Sequence, residues 1–199
     1  MLQISANVAG NAVKVRIFDS FSVVEATWKS FQDYAVGTPY QRYEWLEPWY
    51  RHVGAPSGLV PVLALGEANG MPAFLWPLAL ERSGGLKIFR WLGGKQNNYN
   101  FGLFDAEFLG GLGPEAIMSL LIAIADAAGG ADLFDLRNQP KTWDGFDNPF
   151  FGFEAQTSPS PCYRLDLTPD FQSLEMARRS RRSAQGLNRK CRNLEAASG

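Results

Sequence analysis

The stretch richest in chemistry is residues 93–100, Gly93, Gly94, Lys95, Gln96, Asn97, Asn98, Tyr99 and Asn100. Two glycines are followed by an amine, four amides and a phenol. Such a set can donate and accept hydrogen bonds to a polar ligand, but an amide cannot act as a general base. The competing reading is a solvated connecting loop, in which Gly and Asn are ordinary turn residues. The chain has one histidine, His52. Its unperturbed pKa near 6.5 would suit proton transfer. It sits at the end of a helical segment with no partner visible in the sequence, where a His also complements the helix dipole, so it reads as structural. Cys162 and Cys191 form neither a metal-ligand pair nor a disulfide framework, a pattern that fits a reducing compartment. Cys162, beside Pro161, has no partner that would activate it as a nucleophile. Cys191 is expected to pack beside Leu187 and Leu194 as a small hydrophobe.

Residues 40–50 are rich in aromatics. They could line a substrate cleft, since Tyr and Trp offer flat apolar area with a polar handle. The reading favoured here is a core-packing helix, with Gln41 and Tyr43 as its exposed members. Residues 178–199 hold seven basic residues (Arg178, Arg179, Arg181, Arg182, Arg189, Lys190, Arg192) and one acid, Glu195. That is a net +6 against −1 for the whole chain, so the rest carries −7. Such asymmetry marks a binding or linking segment. Without interleaved aromatics or a basic domain it argues against nucleic acid. A linker helix ranks first and a solvated face second.

The elements that position these residues can be read from periodicity. Residues 13–17 alternate apolar and charged, as a half-buried strand does. Ser22 to Glu25 has the form of a capping box opening a helix to about Tyr34. Residues 41–53 follow a break at Gly37, Thr38 and Pro39, with Pro48 placed to kink or divide the helix. Strands at 59–65 and 73–82 flank an Asn69-Gly70 turn, and 86–92 is a third. A short strand at 101–104 follows the polar loop. Pro114 and Glu115 open a helix to about Ala128, and 131–136 is a short buried strand. Residues 138–161 read as a long loop or a broken helix. Residues 163–167 alternate as a strand, a helix starts at Pro169, and a basic helix closes the chain. The fold class expected is mixed α/β (α+β), a twisted, partly antiparallel sheet flanked by helices. The domains expected are 1–168, with 169–199 as a basic helical linker. The apolar runs are too short or interrupted for a membrane span of ~20 residues, and the N-terminus lacks a signal-peptide pattern. A cytoplasmic protein is expected.

Four stretches together resemble one family. Thr38-Pro39-Tyr40-Gln41, then Glu44-Trp45-Leu46 and Trp49, is similar to the "TPFQ…EWL…W" opening of the cellulose-biosynthesis-associated (CelD-like) acetyltransferases. Residues 72–78 resemble their hairpin strand, and Leu92-Gly93-Gly94 with Asn98-Tyr99-Asn100 their "LGG…DYxD" loop. Residues 188–195 resemble their "RK-x-R…LE" helix. The resemblance implies a GNAT-like (acyl-CoA N-acyltransferase) half of a two-half enzyme, similar to the Fem-type aminoacyltransferases. It implies acyl transfer from acetyl-CoA or another acyl-CoA to a small-molecule amine on a sugar, amino acid or envelope-polysaccharide precursor. This half would shape the acceptor side through Gln41, Trp45, Lys95, Asn98, Tyr99 and Asn100. The cofactor would be bound mainly by a second half beyond the basic helix, and this chain alone would be inactive. Asn98 and Asn100 stand where the family's loop tends to carry acids, which removes a base from that position. The alternative is a non-enzymatic GNAT-like module that binds a glycan precursor or a partner protein.

Overall fold

The computed structural model describes residues 1–8, 11–153, 157–158, 170 and 181–198. They fall into two units, Met1–Thr157 and Ser158–Gly199. The first is an α/β unit built on a seven-stranded, mostly antiparallel sheet. Its strands are β1 (Leu2–Val8), β2 (Asn11–Phe18), β3 (Val60–Ala68), β4 (Met71–Ser83), β5 (Leu86–Trp91), β6 (Leu103–Phe104) and β7 (Leu133–Asp135). The order is β1-β2-β3-β4-β5-β7, with β6 also on β4. Every pairing is antiparallel except β5 with β7.

The alternation in β2 does what its period requires. Val13, Val15 and Ile17 are buried, while Lys14 is exposed and Arg16 half-buried. The turn between β3 and β4 puts Asn69 at φ 51° and Gly70 at φ 79°, the double left-handed geometry that matches strand twist. β4 is apolar on both faces because helices cover both. Phe74, Trp76 and Leu78 pack in one cluster with Ile117, Leu120 and Ile124 of α4 (Pro114–Ala127). Leu75 and Ala79 pack in the other with α1 (Phe21–Gln32) and α2 (Tyr43–Trp49) through Trp28, Phe31 and Leu46. Each fully buried Leu or Phe contributes about 1.5–3 kcal/mol of transfer free energy.

One proline decides where the sheet opens. In the β4–β5 register Leu78 faces Trp91, so Pro77 faces Leu92. Leu92 N donates to Pro77 O at 2.9 Å. An antiparallel pair of this kind would return a second bond, but proline has no N–H. β5 stops there. The chain leaves the sheet and rejoins β4 only at Leu103, opposite Leu75. Residues 93–100 are the loop so released.

Several elements differ from the sequence reading. β1 was not expected, nor was α3 (Ala106–Gly110), which Asp105 caps by accepting from Phe108 N. Ser22 and Glu25 form no capping box. The N-cap of α1 is Ser20, without a side-chain cap bond, and Glu25 pairs with Lys29 at 2.6 Å. A capping box exists instead at Thr38–Gln41, opening the 3-10 turn Pro39–Gln41. After Pro48, α2 widens into a π turn at Tyr50–Gly54, as expected where a missing N–H breaks the ladder. β7 is an edge strand and not a buried one; Leu133 is 48% exposed. Residues 138–153 form a hairpin, β8 (Thr142–Trp143) and β9 (Phe146–Asp147), then a 3-10 turn at Pro149–Gly152. That turn inserts Phe150 edge-on to Trp76 and Trp91, with ring centroids 5.0 and 5.2 Å apart. Residues 163–167, the helix start at Pro169, Cys162, Arg178 and Arg179 lie outside the described residues. In the second unit, α5 (Arg181–Ser198) carries the expected basic helix. Leu187 and Leu194 are exposed on it (39% and 66%), and Cys191 is exposed rather than packed. No helix among the described residues is long and apolar enough to cross a membrane.

Two predictions follow from this packing. A Cβ on Gly66, at the β3 bulge, would lie 2.1 Å from the fully buried Phe74 ring. Gly66→Ala should therefore cost about 1–3 kcal/mol by urea denaturation, whereas Gly110→Ala, in α3 with no left-handed φ and a Cβ that meets nothing, should cost less. Burial, with the Glu25 carboxylate beside it, pushes the Tyr43 phenol up to about 12. The unfolded chain ionises that phenol near pH 10 and the folded one does not. The stability it contributes is complete below pH 10 and is lost as pH rises from about 10 to 12. Tyr43→Phe should flatten stability over that window in pH-dependent melts.

Candidate functional site

The loop freed by Pro77 is closed again by side-chain amides. Pro77 cannot donate to Leu92 O, and Asn97 Nδ2 does so at 2.9 Å. The same NH2 donates to Asn100 Oδ1 at 2.8 Å, while Asn97 Oδ1 accepts from Trp45 Nε1 at 2.7 Å. Gln41 enters from the capping box. Its Oε1 accepts from Thr38 N at 3.3 Å, and its Nε2 donates to Tyr99 O at 3.2 Å and Asn100 Oδ1 at 3.3 Å. From the far side, Asn100 N donates to Asn138 O at 2.8 Å and Asn100 Nδ2 to Arg137 O at 3.0 Å. Asn138, left-handed at φ 59°, returns a bond from Nδ2 to Asn97 O at 2.8 Å. Gly93, at φ 94°, leaves room that a Cβ would take from the Asn97 side chain, 2.1 Å away.

The six residues expected at a site therefore divide. Gln41 and Asn100 are buried, at 0% and 2% exposure, with their amides spent on protein partners. They hold the loop and are not presented to a ligand. The expectation that Gln41 and Tyr43 would be exposed fails because both face the core. Trp45, Lys95 and Asn98 are exposed and Tyr99 is half-buried. Asn98 Nδ2 donates to Tyr40 OH at 3.0 Å, which adds Tyr40 to the surface. Tyr40 meets Trp45 edge-on at 5.6 Å and Tyr99 at 6.4 Å. Tyr99 in turn meets Trp143 of β8 at 5.6 Å. The sequence reading missed Asn97, Asn138, Tyr40 and Trp143. Asn97 had a signal within the polar loop and Tyr40 within the aromatic run; Asn138 had none, and Trp143 reaches the site through a hairpin formed far along the chain.

His52 is exposed on the π turn, away from this network's hydrogen bonds. No cluster of three or more His, Cys, Asp or Glu among the described residues is arranged to hold a metal. A cleft of about 380 Å³ is lined by Ala26, Thr27, Ser30, Phe31, Tyr34, Met71 and Pro72 and includes none of the loop residues.

No family model, curated protein or solved structure matches this chain. The site is accordingly read from its own geometry.

Acyl-CoA, the cofactor the resemblance implies, would need backbone N–H groups at a helix N-terminus for its pyrophosphate. α4, the helix between the parallel strands β5 and β7, offers a poor one. Its first turn carries Pro114, which lacks an N–H, and the acid Glu115. Gly152 lies against Pro114, where even a Cβ would come within 2.2 Å. The Gly93-Gly94-Lys95 segment opens only a three-residue 3-10 turn, with Gln96 N bonded to Gly93 O. Neither fits the cofactor.

The network predicts a sharp contrast between neighbouring asparagines. Asn97→Ala strands Leu92 O and part of Asn100 in a buried setting, at about 1–3 kcal/mol for a stranded group, and takes the partner from the more exposed Trp45 Nε1. Its urea midpoint should fall clearly. Asn98→Ala, on the exposed side, should stay within about 0.5 kcal/mol of the parent.

Proposed function

We propose that this chain is the acceptor-side part of an acyl-CoA-dependent N-acyltransferase of GNAT-like build. Its acceptor is an amine on a sugar, amino acid or envelope-polysaccharide precursor. The observation that carries the reading is the bolted loop, which leaves Lys95 and Asn98 exposed and Tyr99 half-buried and holds Trp45 of α2 through Asn97. It offers hydrogen bonds and flat apolar area but no carboxylate or imidazole. In direct attack of an amine on a thioester, such groups orient the acceptor. The order β2, α1, α2, β3, β4, β5, α4, β7, with β5 and β7 parallel across a helical crossover, is in keeping with a GNAT-like half. The cofactor and the group that takes the ammonium proton belong elsewhere in this reading.

A second reading, a non-enzymatic binding module, is favoured by the blocked α4 N-terminus. Thermal melts separate the parts of the proposal. Millimolar acetyl-CoA should leave the melting temperature of the 199-residue chain unchanged, because a ligand stabilises only what it binds. A rise would put the cofactor in this chain and overturn the division of labour. Glucosamine or a free amino acid should raise it. If no amine does so, the acceptor-side reading falls.

A further inference from the structure

The two ends of the sheet are built differently. β7, at one end, is three residues long and carries Asp135, which pairs with Arg90 and with Arg137, each at 2.7 Å. A short, charged strand is one way in which an edge is kept from adding another strand. β1, at the other end, has seven residues, Leu2–Val8, with no charge and no proline. It matches β2 residue for residue, from Leu2 opposite Ile17 to Val8 opposite Asn11, without a bulge. Among the described residues β2 is its only strand neighbour. Alternate residues of an antiparallel strand turn N–H and C=O away from that neighbour. β1 therefore presents an unbroken row of such groups on its outer side, and none of the usual devices blunts it.

We propose that β1 pairs with β1 of a second copy of this chain, antiparallel about a twofold axis through Ser5. The strand's own pattern carries this choice of partner, because it reads the same from both ends. About Ser5, Leu2 meets Val8, Ile4 meets Ala6, Gln3 meets Asn7, and Ser5 meets itself. Apolar residues then oppose apolar ones on the core side, where Ile4, Ala6 and Val8 pack. Amides and hydroxyls oppose their own kind on the exposed side. A slip of one residue would cross the two sides. No like charges are opposed across the new ladder. The nearest side-chain charges in the sheet are Lys14, opposite Ser5, and Arg16, opposite Gln3. They stand on β2, so three strand spacings, about 14 Å, would separate the two β2 strands, beyond a Debye length of about 8 Å. α4 also packs against β1. It exposes Met118 and Ile122 one turn apart, with Glu115 and Asp126 towards its ends. Salt screens those acids and leaves the apolar pair. Pairing also closes the assembly. Once β1 is used, both outer ends of the joined sheet are β7, short and charged, so growth stops at two.

This pairing is independent of the acyltransferase reading. Sedimentation equilibrium of the 199-residue chain in about 0.15 M salt should show reversible dimerisation, the mass rising from 22.0 kDa towards twice that value. A strand pair is a small interface, so the dissociation constant is expected at roughly 10–500 µM. Ser5→Glu sets two carboxylates face to face at the axis and should weaken the dimer about tenfold or more. Within one chain the new carboxylate lies opposite Lys14, which favours the folded monomer. Ser5→Lys should weaken the dimer likewise, and an equal mixture of the two variants should recover association through opposite charges at the axis. Leu133→Glu, at the β7 edge, should leave association as it is. Thermal melts of each variant check folding. Should Ser5→Lys fail to fold, because its amine lies opposite Lys14, Ser5→Glu against the parent decides. The proposal is overturned if the parent stays monomeric up to about 1 mM, which would leave this edge to a foreign strand. It falls equally if folded Ser5→Glu associates as the parent does, or if the mixture of folded variants associates no better than either alone. Loss of the dimer in Leu133→Glu and not in Ser5→Glu would place the contact at β7 and overturn it too.

Discussion

The arrangement of the candidate site depends on the missing N–H of Pro77. It lies within β4, a strand whose side chains are buried on both faces, where a proline removes a ladder bond. The cost is local: one carbonyl, Leu92 O, loses its strand partner while Leu92 N keeps its own. β5 ends and the chain is pushed out of the sheet. Asn97, five residues on, supplies the donor that proline lacks. A backbone defect is thus repaired by a side chain, and the repair fixes the position of everything between them.

Burying amides in this way is stable only if every partner is present. An unmet buried polar group costs about 1–3 kcal/mol, and a low local dielectric strengthens each bond that is made. Asn97 meets the condition with three bonds from one side chain. Gln41 meets it by joining the capping box to the loop. Asn100 meets it by reaching the segment that leaves β7. Three parts of the chain distant in sequence are held at one point, and the outward rings inherit that rigidity. The left-handed backbone at Gly93 belongs to the same device, since any side chain there would collide with Asn97.

Much of the sheet was legible in the sequence because its signals are local. The alternation of Val13, Val15 and Ile17 and the Asn69-Gly70 turn each fix their element without help from elsewhere. β1 alternates too, with Gln3, Ser5 and Asn7 between Ile4, Ala6 and Val8, and its weak polar residues hid the pattern. The site was legible only by composition. Residues 93–100 could be recognised as polar, but which amides face inward depends on β4 register, on a proline sixteen residues before Gly93 and on Arg137 and Asn138 beyond α4. Neither Asn97 nor Asn98 announces its side. Trp143 was hidden in a stretch read as loop or broken helix, since two-residue strands carry almost no periodic signal.

The chemistry of the outward face follows from which groups are left over. The amides with the best hydrogen-bonding capacity are consumed inside, so the exposed set is aromatic, with Asn98 and Lys95 at its margin. Tyr40, Trp45, Lys95, Asn98, Tyr99 and Trp143 include no carboxylate and no imidazole, so these side chains offer no such base to take a proton from an ammonium. Its discrimination must come from shape and hydrogen bonding. A buried donor or acceptor left unpaired by a wrong ligand is costly, whereas a solvated one is not. Asn98 and Lys95 are solvated, so in the proposed acceptor-side role they would discriminate only weakly between ligands. Weak discrimination of this kind is compatible with the proposed role of holding an acceptor in place, in which the choice of reacting atom would be made by groups outside this face.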